Sequence, residues 1–223
     1  DCNFDKQNIE VIIVDQNQSD ALIGIIKPFE SVLSISHNRV NFVGLSKAKN
    51  YGISLAQNDL VWCLDDDVFI YPDSLKVANN KFNFDNKIDV LIGRLFDREK
   101  SSNIMREWSV SELELTISNF MLNHCAVTII TKRKDLVYDE NFGIGATYGN
   151  HEDADYLFQA LAKKYTLKYI PSLHVFHPPI STDLMTSEKA WKYGYGFGAF
   201  ISKNRCTRLL FHGLSSLIYH FLM

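Results

Sequence analysis

The sequence predicts an α/β fold around a sheet that is at least partly parallel. Two observations carry this. Short apolar runs rich in β-branched residues alternate with segments of helical spacing. Acidic residues gather where an apolar run ends and where a helix begins, and the carboxyl ends of strands are where open α/β sheets place their ligands.

The elements follow in order. Glu10-Val-Ile-Ile-Val-Asp15 is short, β-branched and closed by the polar loop 15–20, which makes it a buried strand. Residues 46–57 have helical spacing through Leu45, Ala48, Ile53 and Ala56, despite Gly52. A second buried strand, 60–64, runs straight into Asp65-Asp66-Asp67. Tyr71-Pro72-Asp73-Ser74 then reads as a helix start, with proline near the first turn. Strands recur at 90–92 and 126–131, and the spacing of Leu113, Ile117, Phe120 and Met121 predicts a helix over 111–122 between them. Residues 153–164 form an amphipathic helix, with Tyr156, Leu157, Ala160 and Leu161 on one face and lysines at the end the macrodipole favours. Two short strands, 167–170 and 173–176, flank Pro171, and His177 with two prolines follows. The division expected is one α/β domain over 1–203 and an apolar, basic C-terminal amphipathic helix over 204–223, where Arg205, Arg208, His212 and His220 suit contact with a membrane surface.

Composition excludes several classes. At 46% hydrophobic and 22% charged residues, the chain is not a disordered segment. A net charge of −3 and no basic stripe argue against a nucleic-acid partner. The cysteines, Cys2, Cys63, Cys125 and Cys206, form no CxxC pair and read as free thiols of a reducing compartment. The polar start DCNFDKQN is no signal peptide, and no run reaches the roughly 18–20 apolar residues that span a bilayer. The location expected is cytoplasmic, with peripheral contact on the inner membrane face.

Three clusters can do chemistry. Asp65, Asp66 and Asp67 repel one another unless water or a cation neutralises them, and carboxylate oxygens suit Mg²⁺ or Mn²⁺. The alternative is a solvated acidic turn. Glu152, Asp153 and Asp155 open a helix beneath a loop carrying Gly143, Gly145 and Gly149. They suit helix capping, or a general base on a rigid helix start. His174 and His177 are structural residues or late metal ligands, and a histidine added to carboxylates shifts preference toward Mn²⁺.

These segments, in order, resemble glycosyltransferase family 2 and its GT-A fold. VIIVDQNQSD is similar to the family's VVDNGSxD strand and loop. GLSKAKNYGISLAQNDLVWCLDDDV is similar to its ARNxGxxxA and DxDD stretch, VYDENFGIGATYGNHEDADYLFQAL to its FxxxGxEDxDL stretch, and YIPSLHVFHP to the segment of its late histidine. The likeness covers roughly residues 9–200. It implies a mixed, mostly parallel sheet flanked by helices and a metal-assisted, inverting hexosyl- or N-acetylhexosaminyl-transferase of polysaccharide biosynthesis. It implies a nucleotide-sugar donor, with uridine as the base, and a glycan or lipid-linked acceptor. By the same resemblance Asp15, Lys49, Asp65 and Asp66 bind donor, and Asp67 and His177 hold the divalent metal. Asp153 is the base with Glu152 beside it, and Trp108 and Asp155 face the acceptor. Two departures stand out: the family's opening strand with its PxYN motif has no counterpart here, and Gln16 and Gln18 replace the usual asparagine–glycine pair. A non-catalytic, transferase-like binding domain is the rival reading. A nucleotidyltransferase is disfavoured by the lack of a glycine-rich basic loop near the start.

Overall fold

The computed structural model describes residues 3–178 and 186–205. Strand β1 (Glu10–Asp15) is followed by the short helix α1 (Ala21–Ile26) and by β2 (Ser34–Arg39). The two strands pair in parallel, Glu10 opposite Ser34 through Asp15 opposite Arg39, and form a two-stranded sheet of their own. Helix α2 (Leu45–Leu55) lies against β1, and a Cβ at Gly52 would stand 3.4 Å from Val14 Cγ2. The Glu10 carboxylate accepts from the backbone N–H groups of Gln57 and Asn58 at 2.8 and 2.6 Å, which ties the chain beyond α2 to the start of β1.

Short strands β3 (Val61–Trp62) and β4 (Phe69–Ile70) flank the aspartate triplet. Helix α3 (Ser74–Phe84), β5 (Val90–Asp97), β6 (Ser102–Asn103), β7 (Leu113–Leu115) and β8 (Ile129–Thr131) follow, then α4 (Glu152–Ala162), β9 (Leu167–Phe176) and α5 (Ser187–Asn204). The larger sheet runs β3-β8-β5-β9-β4, with β6 on β5 and β7 on β9. It is mixed: β5 and β9 pair in parallel, as β1 and β2 do in the smaller sheet, while β3, β4, β6, β7 and β8 pair antiparallel with their neighbours. One face buries Val90, Ile92, Leu167 and Tyr169 against Ala154, Leu157 and Ala160 of α4. The other buries Leu91, Ile130, Ile170 and Leu173 against Ala78 and Phe82 of α3. The sheet is thus covered on both faces, as its near-continuous apolar strands require.

Several expectations change. Residues 111–122 are not one helix. Leu113 and Leu115 alternate about Glu114 in a strand on β9, and Asn119 accepts from the Thr116 N–H and donates to the Glu114 carbonyl, which competes with helical pairing. A 3-10 turn over Phe120–Leu122 is all that remains of the helical spacing. Residues 126–128 are likewise a 3-10 turn before β8. The two strands expected around Pro171 are one, because the β5·β9 ladder shifts register between Ile92 and Arg94 and asks no N–H of the proline. Gly93 faces that shift: a Cβ there would lie 2.5 Å from the Leu173 carbonyl oxygen. Apart from Arg205, the basic and apolar tail expected as a membrane-surface helix falls in residues 206–223, outside the described residues. Among the described residues, no helix is long and apolar enough to cross a membrane.

Candidate active site

The C-terminal end of β1 delivers Asp15 into the interior, 2% exposed. One carboxylate oxygen accepts from the backbone and side-chain nitrogens of Asn17 at 2.8 and 2.9 Å, and the other lies 2.9 Å from His37 Nε2. The Asn17 N–H and then His37 hold its carboxyl below the usual carboxylate range. Asp15 therefore shapes the loop, and a shallow recess of about 570 Å³ beside it, lined by Gln18, Arg39, Asn41, Phe42 and Tyr51, faces solvent.

Lys49, on the inward face of α2, is buried, with its Nζ 3.3 Å from Glu152 Oε1 and 5.1 Å from the centre of the Tyr138 ring. Burial alone would lower its pKa, but the carboxylates of Glu152, Asp65 and Asp153 outweigh burial and raise it. This one buried cation offsets the charge of three acids from two distant stretches of sequence. Burial raises the Asp65 pKa, opposed by Lys49, whereas Asp66 and Asp67 are exposed.

His177, just past β9, lies with its Nε2 3.6 Å from Asp67 Oδ1. Its Nδ1 is 2.6 Å from the Pro178 carbonyl, so Nδ1 carries a hydrogen and Nε2 is the nitrogen turned to the carboxylate. A lone pair set against a carboxylate is repulsive without a cation or a proton between them. That donor pair fits a divalent ion, with backbone orientation of the imidazole. Among the described residues no group of three or more His, Cys, Asp or Glu is placed to hold a metal unaided. Two ligands are enough where substrate phosphates and water complete the shell.

Helix α4 opens on His151, whose backbone is left-handed (φ 66°) and whose ring stacks on Phe197 and Phe200 of α5. The next two residues point into the site. Burial and then Asp153 raise the pKa of Glu152. Burial also pushes the Asp153 carboxyl up, but His124, Lys49 and His151 outweigh it and the net shift is downward. Asp153 Oδ1 accepts from the Ala154 N–H at 2.8 Å, and Oδ2 is 3.5 Å from His124 Nε2, with the side chain 21% exposed. His124 Nδ1 is in turn 2.8 Å from the Phe120 carbonyl. This is an ionised carboxylate with one open side and a histidine behind it. Sequence reasoning missed His124, since a single histidine inside an apolar run carries no pattern.

The structure brings Lys49, Glu152, Asp153 and Asp65 together, and Asp67 with His177. It corrects two acceptor assignments. Trp108 is buried, stacked at 8° on Tyr169, and donates to the Ile104 carbonyl at 2.9 Å, so no face is open to a sugar. Asp155 is fully buried and bonds Lys203 at 2.7 Å, Gln159 at 2.8 Å and Asn204 at 3.1 Å, which clamps α5 onto α4. Cys63 and Cys125 are free thiols, pushed up by burial to about 11 and about 12 and unreactive there.

Comparison with known proteins fits this geometry. The model of "Glycosyl transferase family 2" matches residues 2–136. The chain belongs to that family. The family match covers α2, the aspartate triplet and the strands through β8, and it ends before the Glu152–Asp153 pair. The minor teichoic acid biosynthesis protein GgaB of Bacillus subtilis (strain 168) is 28% identical over 150 residues, 62% of this chain and 17% of that protein. Two solved structures share the fold. TarS 1-349 of S. aureus in complex with UDP-GlcNAc superposes with a TM-score of 0.66 at 16% identity, over 90% of this chain and 59% of that one. The mannosyltransferase PcManGT from Pyrobaculum calidifontis, in complex with GDP-Man and Mn²⁺, gives 0.64 at 14% identity, over 91% and 56%. The chain thus spans about a sixth of GgaB and under two thirds of either solved chain.

Proposed function

We propose that the chain transfers a hexosyl or N-acetylhexosaminyl group, with inversion, from a uridine-diphosphate sugar to a hydroxyl of a glycan or lipid-linked acceptor. The observation that carries this reading is the pair of carboxylates opening α4. Glu152 is ion-paired with Lys49, and Asp153 is ionised, backed by His124 and open on one side. The acceptor hydroxyl gives its proton to Asp153 as its oxygen forms the new bond to the anomeric carbon. The bond from that carbon to the diphosphate breaks, and its electron pair leaves with the diphosphate. A base on the opposite side from the leaving group gives inversion. A positioned base of this kind contributes about 10²–10⁴-fold.

Asp67 and His177 would hold Mn²⁺ or Mg²⁺, which would neutralise charge on the leaving diphosphate. The recess beside Asp15 suits the base. Support from relatives is consistent in kind: the TarS and PcManGT structures hold a nucleotide-sugar, and the latter Mn²⁺. The test is thermal unfolding with Mn²⁺ and UDP, against GDP and CMP, for the chain and for Asp67→Ala. A ligand that binds only the folded state raises Tm, by about 2.7 kcal/mol of added stability at a hundredfold excess over Kd. A rise with UDP that needs Mn²⁺ and disappears in Asp67→Ala is expected. No rise with any nucleotide would sink the donor reading and favour a non-catalytic domain.

A further inference from the structure

A second polar cluster lies on the same strand ends and takes no part in the chemistry above. β5 changes phase at Gly93. Val90 and Ile92 lie in the main core, yet so does Leu95, and this turns Arg94 out of it, beside His174 of β9. Arg94 Nη2 stands 3.1 Å from His174 Nε2, and Arg98 Nε donates to His174 Nδ1 at 2.9 Å. A neutral imidazole has one acceptor nitrogen. Here Nδ1 is that acceptor, so Nε2 carries its hydrogen and faces the N–H of Arg94, donor against donor. Arg98 is neutralised: its guanidinium bonds both oxygens of Asp73 at 2.7 and 3.2 Å. Arg94 is not. Among the described residues it has no carboxylate partner; its Nη1 meets Asn103 Oδ1 only at 3.5 Å, and its Nε is buried without an acceptor. One guanidinium face lies 4.3 Å over the Phe96 ring. Nε and Nη2 form one edge of the guanidinium, and His174 Nε2–H stands beside it. Three donors therefore share a neighbourhood whose acceptors are the Pro171 carbonyl beside the His174 ring and the distant Asn103 oxygen, both neutral.

We infer that Arg94 and His174 form an oxyanion site that takes a phosphate group of the acceptor. A planar carboxylate matches a single guanidinium fork. Donors from a guanidinium edge and a separate imidazole call for a third acceptor oxygen, which a tetrahedral phosphate supplies. The place fits an acceptor group. His174 is three residues before His177 on one strand, roughly 10 Å from the expected diphosphate position. The chain between β5 and β9 carries His124, Glu152 and Asp153. The inference rests on the transferase reading for the word acceptor, and on local geometry alone for the anion.

The test uses the full chain and two probes, inorganic phosphate and the monoanionic diester diethyl phosphate. The His174 ring nitrogens are followed by NMR during titration. Phosphate is expected to shift His174, and Arg94→Gln to weaken that response about tenfold or more, as loss of a charge-assisted hydrogen bond requires. Arg94→Lys should fall between them. A shift with both probes indicates a phosphate within a chain, and a shift with inorganic phosphate alone indicates a terminal or free phosphate. If the wild-type His174 does not respond, the inference is overturned whatever the variants do. Equal responses in wild type and a folded Arg94→Gln overturn it too. The UDP and Mn²⁺ melting measurement is independent: phosphate binding at His174 with no nucleotide effect would leave the anion site standing and remove the donor reading.

Discussion

β1 and β5 are both short apolar strands, and their fates differ. In β5, Val90, Leu91 and Ile92 are fully buried, with β8 on one side and β9 on the other. In β1, the run Val11 to Val14 is only half-buried, paired with β2 alone among the described residues and steadied by α2. The larger sheet begins at its own edge, β3. The same residue chemistry yields a core strand in one place and a flank in the other, because burial depends on what lies on both sides. The β1–β2 region carries the recess offered to the base, and the larger sheet carries the carboxylates. On the proposed reading, binding and chemistry would sit on parts of unequal burial, which is common where ligands must enter.

The sharpest way to break that division is Asp153→Asn, which should lower turnover by about 10²–10⁴-fold while leaving UDP affinity in place. A variant with full activity would remove Asp153 as the base, and a loss of UDP binding would show that the two regions are not separable. Paired core truncations are next. Ile92→Ala should destabilise by about 2–5 kcal/mol, and Ile12→Ala by clearly less, in denaturant unfolding. Equal losses would mean that β1 is packed as tightly as β5.

A smaller effect comes from pH. Burial, and then Arg94 and Arg98, push the His174 pKa down to about 4. Between there and the ordinary 6.5 the unfolded imidazole is protonated and the folded one is not. The unfolded state then binds more protons, so stability rises with pH across that window. His174→Gln should flatten this slope in Tm measured from about pH 6.5 down to 4. An unchanged slope would show that the cluster does not hold the imidazole neutral.

Much of the candidate site was legible because the acids stand at element ends. Asp65 to Asp67 follow an apolar run, and Glu152 and Asp153 begin a strongly amphipathic helix. The unreadable parts depend on distant contacts. β2 is the polar stretch Ser34–Arg39, and only its pairing with β1 makes it a strand. The helix expected over 111–122 lost to side-chain bonds from Asn119 and to pairing with β9. Pro171 looked like a terminator, and only the register shift at Gly93 shows why the strand runs through it. Asp155 shares a helix turn with the candidate base, yet the face it presents belongs to Lys203 and Asn204.

The parallel pairing of β5 with β9 also bears on how the molecule comes into being. Roughly seventy residues of chain separate the two strands, and that crossover contains His124, Glu152 and Asp153. Closing so long a loop incurs its entropy before the pairing returns any stability. On a ribosome, β1, α2 and the aspartate triplet emerge first and must wait for β9 before the larger sheet can close around them. Asp153 and His124 thus come into register in the same late event that seals the core. An incompletely made chain would then lack the assembled carboxylate cluster.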